Sequence, residues 1–472
     1  MMPLLALLSI CGIGLAALNF GLDGPFLVAI VALPAVVWAL RRPLHFAAIT
    51  IASIPWGILA TNGITVFKIL TAVLLPLVVY HIRREGRSIQ FPKMAGGVFI
   101  LIALLTAISE LSSEYGASLE PALELAAVIL LFLALSQVVR SAEDLRVLAT
   151  VQAFNMVFVG IYVFREVGWA RMMSDNVRAL GPNGQPNSLA EHILRNIAFS
   201  LALTLDRDAR LSLRVVGAAG VVLAVYANFA AASRSGSLGI VVAVACFGFF
   251  SVEGVSKRAF RVAMVVAAIV FAVAISPKSF ESRVVDTFRQ DQTKSGKNTL
   301  YSERVEHAEF AMKMIPKHPW LGWGGNGFAK YRAYTVGGRE TALHSMIFGL
   351  ATAFGVITLA ICLGTLAAAV YSGIRELALC PKRDRSYVAA VVAGLTAGLV
   401  ASAASPQLFV PELWALGSIC FILLSASRRA EMAAKRGLTP RAPTVRARPV
   451  LVNGTLRKGL QVPSTPVQTY LN

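Results

Sequence analysis

The feature that most constrains this chain is the length of its apolar runs. They can be read at about 3–20, 24–40, 44–60, 64–82, 94–110, 120–139, 145–164, 188–205, 214–231, 236–252, 260–276, 344–372, 387–404 and 408–426. A hydrocarbon core about 30 Å thick needs roughly 20 apolar residues in helical form. The first four runs are short or closely spaced, so the reading is an all-α polytopic integral membrane protein with about 12–14 transmembrane helices. The first run has no basic segment before it and no small-residue cleavage site, so it reads as a retained helix. Composition agrees: 56% of the 472 residues are hydrophobic and only 15% are charged, whereas a soluble chain has about 45–50% and about 25%. The net charge of +19 would suit a nucleic-acid binder, but such a protein would carry far more charge than this one and no mean hydropathy of +0.67. Disorder of the whole chain is excluded by the same apolar content.

Loop charge orients the helices. With the N-terminus in the cytoplasm, the inside loops hold Arg41 and Arg42; Arg83, Arg84, Arg87 and Lys93; Arg140 and Arg146; Arg207, Arg210 and Arg214; Lys257, Arg258 and Arg261; and Arg375, Lys382, Arg383 and Arg385. The tail from Arg428 adds nine more basic residues. The short outside loops 21–23, 61–63, 111–119 and 405–407 have none. The positive-inside rule is therefore met at every turn, with both termini cytoplasmic.

The remaining outside segments are unusual. Segment 165–187 is polar and ends in Gly181-Pro182-Asn183-Gly184-Gln185-Pro186-Asn187. A tight turn comes next at Ala232-Ser233-Arg234-Ser235. The third segment, 277–343, is the one soluble-sized insertion, with 11 Lys/Arg against 7 Asp/Glu. Within it, Ser302–Met314 reads as an amphipathic helix, with Val305, Ala308, Phe310, Ala311, Met312 and Ile315 on one face and Glu303, Arg304, Glu306, His307 and Glu309 on the other. Pro316 and Pro319 end it. Next comes Trp320-Leu321-Gly322-Trp323-Gly324-Gly325-Asn326-Gly327-Phe328, whose glycines require a tight turn or close approach to another surface. The run has no Walker-type ending, so a nucleotide site is not indicated. Four regions result: transmembrane helices over 1–276, the loop 277–343, further helices over 344–428, and a basic, disordered cytoplasmic tail 429–472. The five cysteines form no CxxC pair, and neither a disulfide framework nor a zinc site is indicated.

Three of these motifs together resemble the O-antigen ligase / O-antigen polymerase family of bacterial envelope glycosyltransferases. One is His318-Pro319-(x)2-Gly322-(x)-Gly324-(x)2-Gly327-Phe328, with His344 opening an apolar helix about fifteen residues later. The others are Ser233-Arg234-Ser235-Gly236 in a short outer turn and Gly181-Pro182-Asn183-(x)3-Asn187-(x)-Leu189-Ala190 at a helix head. Family members usually place Asn after the histidine, and this chain has Ser345 instead.

The resemblance implies a GT-C-like membrane architecture in the bacterial inner membrane. It implies transfer of a glycan from undecaprenyl diphosphate to a sugar acceptor on the periplasmic face, the acceptor being lipid A–core or a growing glycan. No metal, cofactor or nucleic acid is implied; membrane lipid and polysaccharide-assembly proteins are the expected partners. Charge grows on the lipid diphosphate as the bond breaks, and a nearby arginine would stabilise it. Arg234 and His344 are thus the expected catalytic residues, with His344 as base or as diphosphate ligand. Arg304, Arg178, Asn187, His192, Arg195 and Trp323 are the expected substrate contacts. Four of them have a plainer reading: Arg304 as a solvated helix face, Arg195 as half of a self-neutralising pair with Glu191, Asn187 as a helix cap, Trp323 as an interfacial anchor. A flippase for lipid-linked glycans and a protein O-oligosaccharyltransferase are the alternatives.

Overall fold

The computed structural model describes residues 41–56, 65–89, 92–114, 119–168, 171, 178–182, 184–252, 299–336, 343, 345–403 and 409–435. At residues 119–120, 234, 299–304 and 433 it describes the backbone alone. The expected spans 3–20, 24–40 and 260–276, and most of the tail, lie outside the described residues. The chain divides into two units, Met1–Ser427 and Arg428–Asn472.

The described residues form α1 (Pro43–Ala52), α2 (Val66–Glu85), α3 (Lys93–Leu111), α4 (Leu119–Val138), α5 (Leu145–Val167), α6 (Pro186–Leu205), α7 (Leu211–Ala231), α8 (Arg234–Phe250), α9 (Thr299–Met314), α10 (Gly327–Val336), α11 (Met346–Leu379), α12 (Arg385–Ser402) and α13 (Pro411–Lys435). Eight of them (α2 to α5, α7 and α11 to α13) are long and apolar enough to cross a membrane, and α1 and α8 are shorter apolar helices. The protein is an all-α polytopic membrane protein. Helix boundaries track the apolar runs closely, because the runs are bounded by residues that cap or break helices. Thr65 caps α2 through its side chain and Gly86 closes it in the left-handed conformation, with Arg83 and Arg84 in the last turn.

Polar contacts define two ends of the bundle. At the basic end, Arg146 pairs with Asp206 at 3.0 Å, the Tyr387 hydroxyl donates to Asp206 at 2.5 Å, and Arg385 donates to the Phe250 carbonyl at 3.1 Å. Arg140 reaches Glu85 and Arg383 reaches Glu143. Burial pushes the Asp384 carboxyl above its usual range, while Arg383 pulls it down. The opposite end gathers the last turns of α3, α5 and α7 with the first turns of α6, α8 and α11.

Helix α6 is the hub. It packs against α5, α7, α8 and α12, and three of these neighbours each turn two glycines toward it. They are Gly217 and Gly220 from α7, Gly236 and Gly239 from α8, and Gly394 and Gly398 from α12. In lipid the hydrophobic effect does not press helices together, so close backbone approach through small residues supplies much of the packing. A side chain at Gly394 would run into the Arg195 carbonyl, and one at Gly398 would meet the Arg195 guanidinium stem.

The loop region departs from expectation in two ways. Helix α9 is present and ends in a 3-10 turn, Ile315–Lys317. Its inward stripe, however, is His307, Ala311 and Met314, and both Val305 and Met312 are exposed. The stripe turns because His307 packs edge-on to Phe328, so the imidazole serves as an aromatic surface. Helix α10 was not expected from the sequence pattern. Its Tyr331 packs on Trp323 and its Arg332 pairs with Glu306 at 3.1 Å.

The glycine faces set a testable contrast. Gly394→Val should destabilise the folded protein by about 1–3 kcal/mol or more through overpacking. Gly364→Ala, on α11 with nothing within 4 Å of a new Cβ, should be neutral or stabilising by up to about 1 kcal/mol. Unfolding midpoints in detergent would show a drop for the first and none for the second.

Candidate functional site

At the end opposite the basic one, the heads of α6 and α8 lie side by side. Ala232, in the left-handed conformation at φ 46°, closes α7. Ser233 then caps α8, its hydroxyl accepting from the Gly236 amide at 3.4 Å. The turn between helices is thus shorter than expected, and Arg234 is already the first residue of α8; its side chain lies outside the described residues. Asn187 does not cap α6, whose capping position is Gln185. Its Oδ1 instead accepts from the Ser233 hydroxyl at 3.1 Å and from Arg178 Nη2 at 3.5 Å. Arg178 also donates from Nε to the Ala231 carbonyl at 2.9 Å, where a cation suits the C-terminal end of the α7 dipole. Glu166 holds the chain beside it by accepting the Leu180 and Gly181 amides at 2.9 and 3.0 Å. Two helix N-termini, the Arg178 guanidinium and the backbone of Arg234 therefore meet in one place, an arrangement that favours an anion.

Below this mouth α6 carries a buried polar cluster. Roughly 8–15 Å along the helix from its first residue, Glu191, His192, Arg195 and Asn196 are all at most 3% exposed. Arg195 donates to Glu191 at 2.7 Å and reaches Glu412, on the first turn of α13, at 3.5 Å. The second Glu412 oxygen lies 2.9 Å from His192 Nδ1. His192 Nε2 faces the Asn155 amide nitrogen at 3.1 Å, and the Asn155 oxygen accepts from the Trp56 indole at 3.0 Å. An indole only donates, so Asn155 turns its NH2 to the imidazole. The imidazole accepts there at Nε2 and carries its proton on Nδ1, toward Glu412. This is where the structure places His192 and Arg195: inside a buried network that leaves Arg195 Nε without a hydrogen-bond partner.

The glycine-rich loop meets a break in α11. Gly355 has φ 81° and ψ 169°, which frees the carbonyls of Thr352 and Ala353 from their helical partners. The loop amides replace those partners: Trp323 N donates to Thr352 O at 2.8 Å and Gly324 N to Ala353 O at 2.9 Å, while Val356 N donates to Pro319 O at 2.8 Å. The last turn of α3 completes the seam. Ser109 donates to Ala353 O and Ser113 to Trp323 O, each at 2.7 Å, and Glu110 accepts the Gly325 amide at 2.8 Å. Irregular backbone at membrane depth is tolerated where protein satisfies it in this way. A Cβ at Gly355 would strike the Trp320 carbonyl and one at Gly324 would strike Ser113, which is the close approach that the glycines imply.

Trp323 is buried between His318 and Tyr331 and donates from its indole to Met314 O at 3.2 Å; Trp320 stays exposed. His344 lies outside the described residues. Of its neighbours, Leu343 packs with Trp323 and Phe328, and Ser345 caps α11 by accepting the Phe348 amide at 3.4 Å. Asn and Ser cap helices equally well, so the capping role at 345 is open to either residue. Arg304 lies on α9, with its side chain outside the described residues.

Residues 219–363 match the family model described as O-antigen ligase. The match supports assigning this segment to the O-antigen ligase/polymerase family. No curated protein matches it. The family match supports a glycosyltransferase-like role in polysaccharide biosynthesis. The matched segment holds the Ser233–Gly236 turn, the glycine-rich loop and the break in α11. It leaves out α6, α3 and α13, which supply Asn187, Glu110 and Glu412 to the site and the seam.

Sequence reading missed Glu412, Asn155, Asn196 and Glu110. Two of these carried a usable signal, because a carboxylate within or beside an apolar run is rare and is kept only with a partner. The amides carried none, since nothing in a single sequence pairs residue 155 with residue 192.

Glu412→Ala would leave Arg195 with one carboxylate and strip His192 Nδ1–H of its acceptor. Breaking a buried pair costs about 3–5 kcal/mol, and the unfolding midpoint in detergent should fall accordingly. Glu412→Gln keeps an acceptor oxygen and should lose less.

Proposed function

We propose that this protein transfers a glycan from undecaprenyl diphosphate to a sugar hydroxyl at the periplasmic face of the bacterial inner membrane. The basic end then faces the cytoplasm, as the positive-inside rule requires. The observation that carries the reading is the meeting of the α6 and α8 N-termini with Arg178 and the Ser233–Arg234 turn, within or beside the matched segment. In this reading Arg234 and Arg178 hold the diphosphate. Arg234 stays ionised at low dielectric and offers a planar fork to phosphate oxygens. The acceptor oxygen attacks the anomeric carbon, the bond from that carbon to the diphosphate breaks, and the leaving group takes the electron pair. The arginines and helix dipoles neutralise the charge that develops there, which lowers the barrier more than it tightens ground-state binding. His344, beside the capping Ser345, takes the acceptor proton or donates to the diphosphate.

Asn187 aligns Ser233 with Arg178, and Arg304 adds positive charge from α9. His192, Arg195 and Trp323 act in this reading as supports: the first two hold α6 in place, and Trp323 holds the loop that leads to His344.

The test is genetic and chemical together. Arg234→Ala and His344→Ala should be present in the membrane at wild-type levels, with transfer lowered by about 100- to 1,000-fold or more. Full surface polysaccharide in either variant removes that residue from the mechanism. In a strain lacking the gene, accumulation of long lipid-linked chains identifies lipid A–core as the acceptor. Accumulation of single repeats identifies a growing glycan. If neither accumulates, the transfer reading fails.

A further inference from the structure

The basic end holds a cavity of about 240 Å3 between the last residues of α6, the C-terminus of α8 and the first turn of α12. We propose that it binds a phosphate-bearing anion at the membrane–water boundary, namely the headgroup of an anionic phospholipid.

Charge is the first argument. Arg207, Lys382 and Arg383 line the cavity, against Asp206 and Asp208. Asp206 lines the cavity, but its carboxylate is engaged: one oxygen receives the Tyr387 hydroxyl and Arg146, and the other receives the Asp208 amide at 2.9 Å. Its charge is thus matched by an arginine from outside the cavity. Arg383 faces Asp208 at 3.4 Å and reaches Glu143 at 3.9 Å, all three side chains being more than half exposed and so weakly paired. The lining therefore presents more positive than negative charge to an incoming group. Ser251 and Ser386 add neutral hydroxyls, the usual companions of Arg and Lys around phosphate.

Position and size narrow the ligand. The cavity lies at the ends of membrane helices, and Leu205 and Phe247 give it an apolar wall. Basic pockets at this depth, between transmembrane helices, suit anionic headgroups whose acyl chains remain in the bilayer. Its volume of about 240 Å3 is enough for one headgroup and lies below the roughly 300–1,000 Å3 of sites that enclose a drug-sized molecule.

The experiment uses the full chain in detergent, with native mass spectrometry to count bound phosphatidylglycerol against phosphatidylcholine. The wild type should retain phosphatidylglycerol selectively. Arg207→Gln with Arg383→Gln should weaken that retention about thirtyfold, and Arg207→Gln alone should show part of the loss should the double variant unfold. Arg428→Gln with Arg429→Gln removes the same charge elsewhere and should change nothing. A parallel arm adds inorganic phosphate without lipid. If phosphate raises the wild-type unfolding midpoint and phosphatidylglycerol is not retained, the ligand is a soluble phosphate and the lipid assignment fails. Equal phosphatidylglycerol retention by wild type and double variant, or no response to either ligand, overturns the site.

Discussion

Arg195 lies between two carboxylates midway along α6, the buried hub helix, and the geometry of the mouth rests on that arrangement. A cation buried to this degree is tolerated only when paired. Glu191 supplies one partner from the same helix, one turn earlier, and Glu412 supplies the other from α13. Because Glu412 also holds His192, and His192 reaches α5 through Asn155, separated stretches of chain are bound to one point. Glycine faces on α7, α8 and α12 then let α6 sit closer to its neighbours than larger residues would permit. The head of α6 is thereby fixed beside the head of α8, and Asn187 can meet Ser233 and Arg178.

The second constraint is the opened backbone of α11. A helix interrupted at Gly355 exposes two carbonyls and one amide, which in a membrane must find partners. The glycine-rich loop supplies them, and α3 locks the loop through Ser109, Glu110 and Ser113. The glycine-rich loop is therefore seated on α11. Both constraints join helices outside the family-matched segment to motifs within it, so the segment alone does not account for the geometry of its own turn and loop.

Charge divides between the two ends according to its task. At the basic end, ion pairs such as Arg146–Asp206 tie loops together, and the arginine excess opposes transfer of those loops across the membrane. At the other end, Arg178 donates to the last carbonyl of α7 and to Asn187 beside the heads of α6 and α8.

Most of the architecture was legible in the sequence, because a run of about twenty apolar residues has few options in a bilayer and loop arginines orient it. The close approach of the glycine-rich loop was legible for the same kind of reason, since only glycine leaves room for another backbone. A self-neutralising Glu191–Arg195 pair could also be read, from i, i+4 spacing on a helix. Other features required the folded chain. Glu412 lies 217 residues from Arg195, and its partnership comes from helix packing that no local pattern encodes. The inward turn of His307, the role of Asn187 as a junction instead of a cap, and the seam at Gly355 likewise depend on what each residue meets across the bundle. Local sequence determines which segments become helices and where they stop. Only tertiary structure decides which polar groups find one another, because a buried hydrogen bond is selected by three-dimensional proximity and by the high cost of leaving either partner unsatisfied.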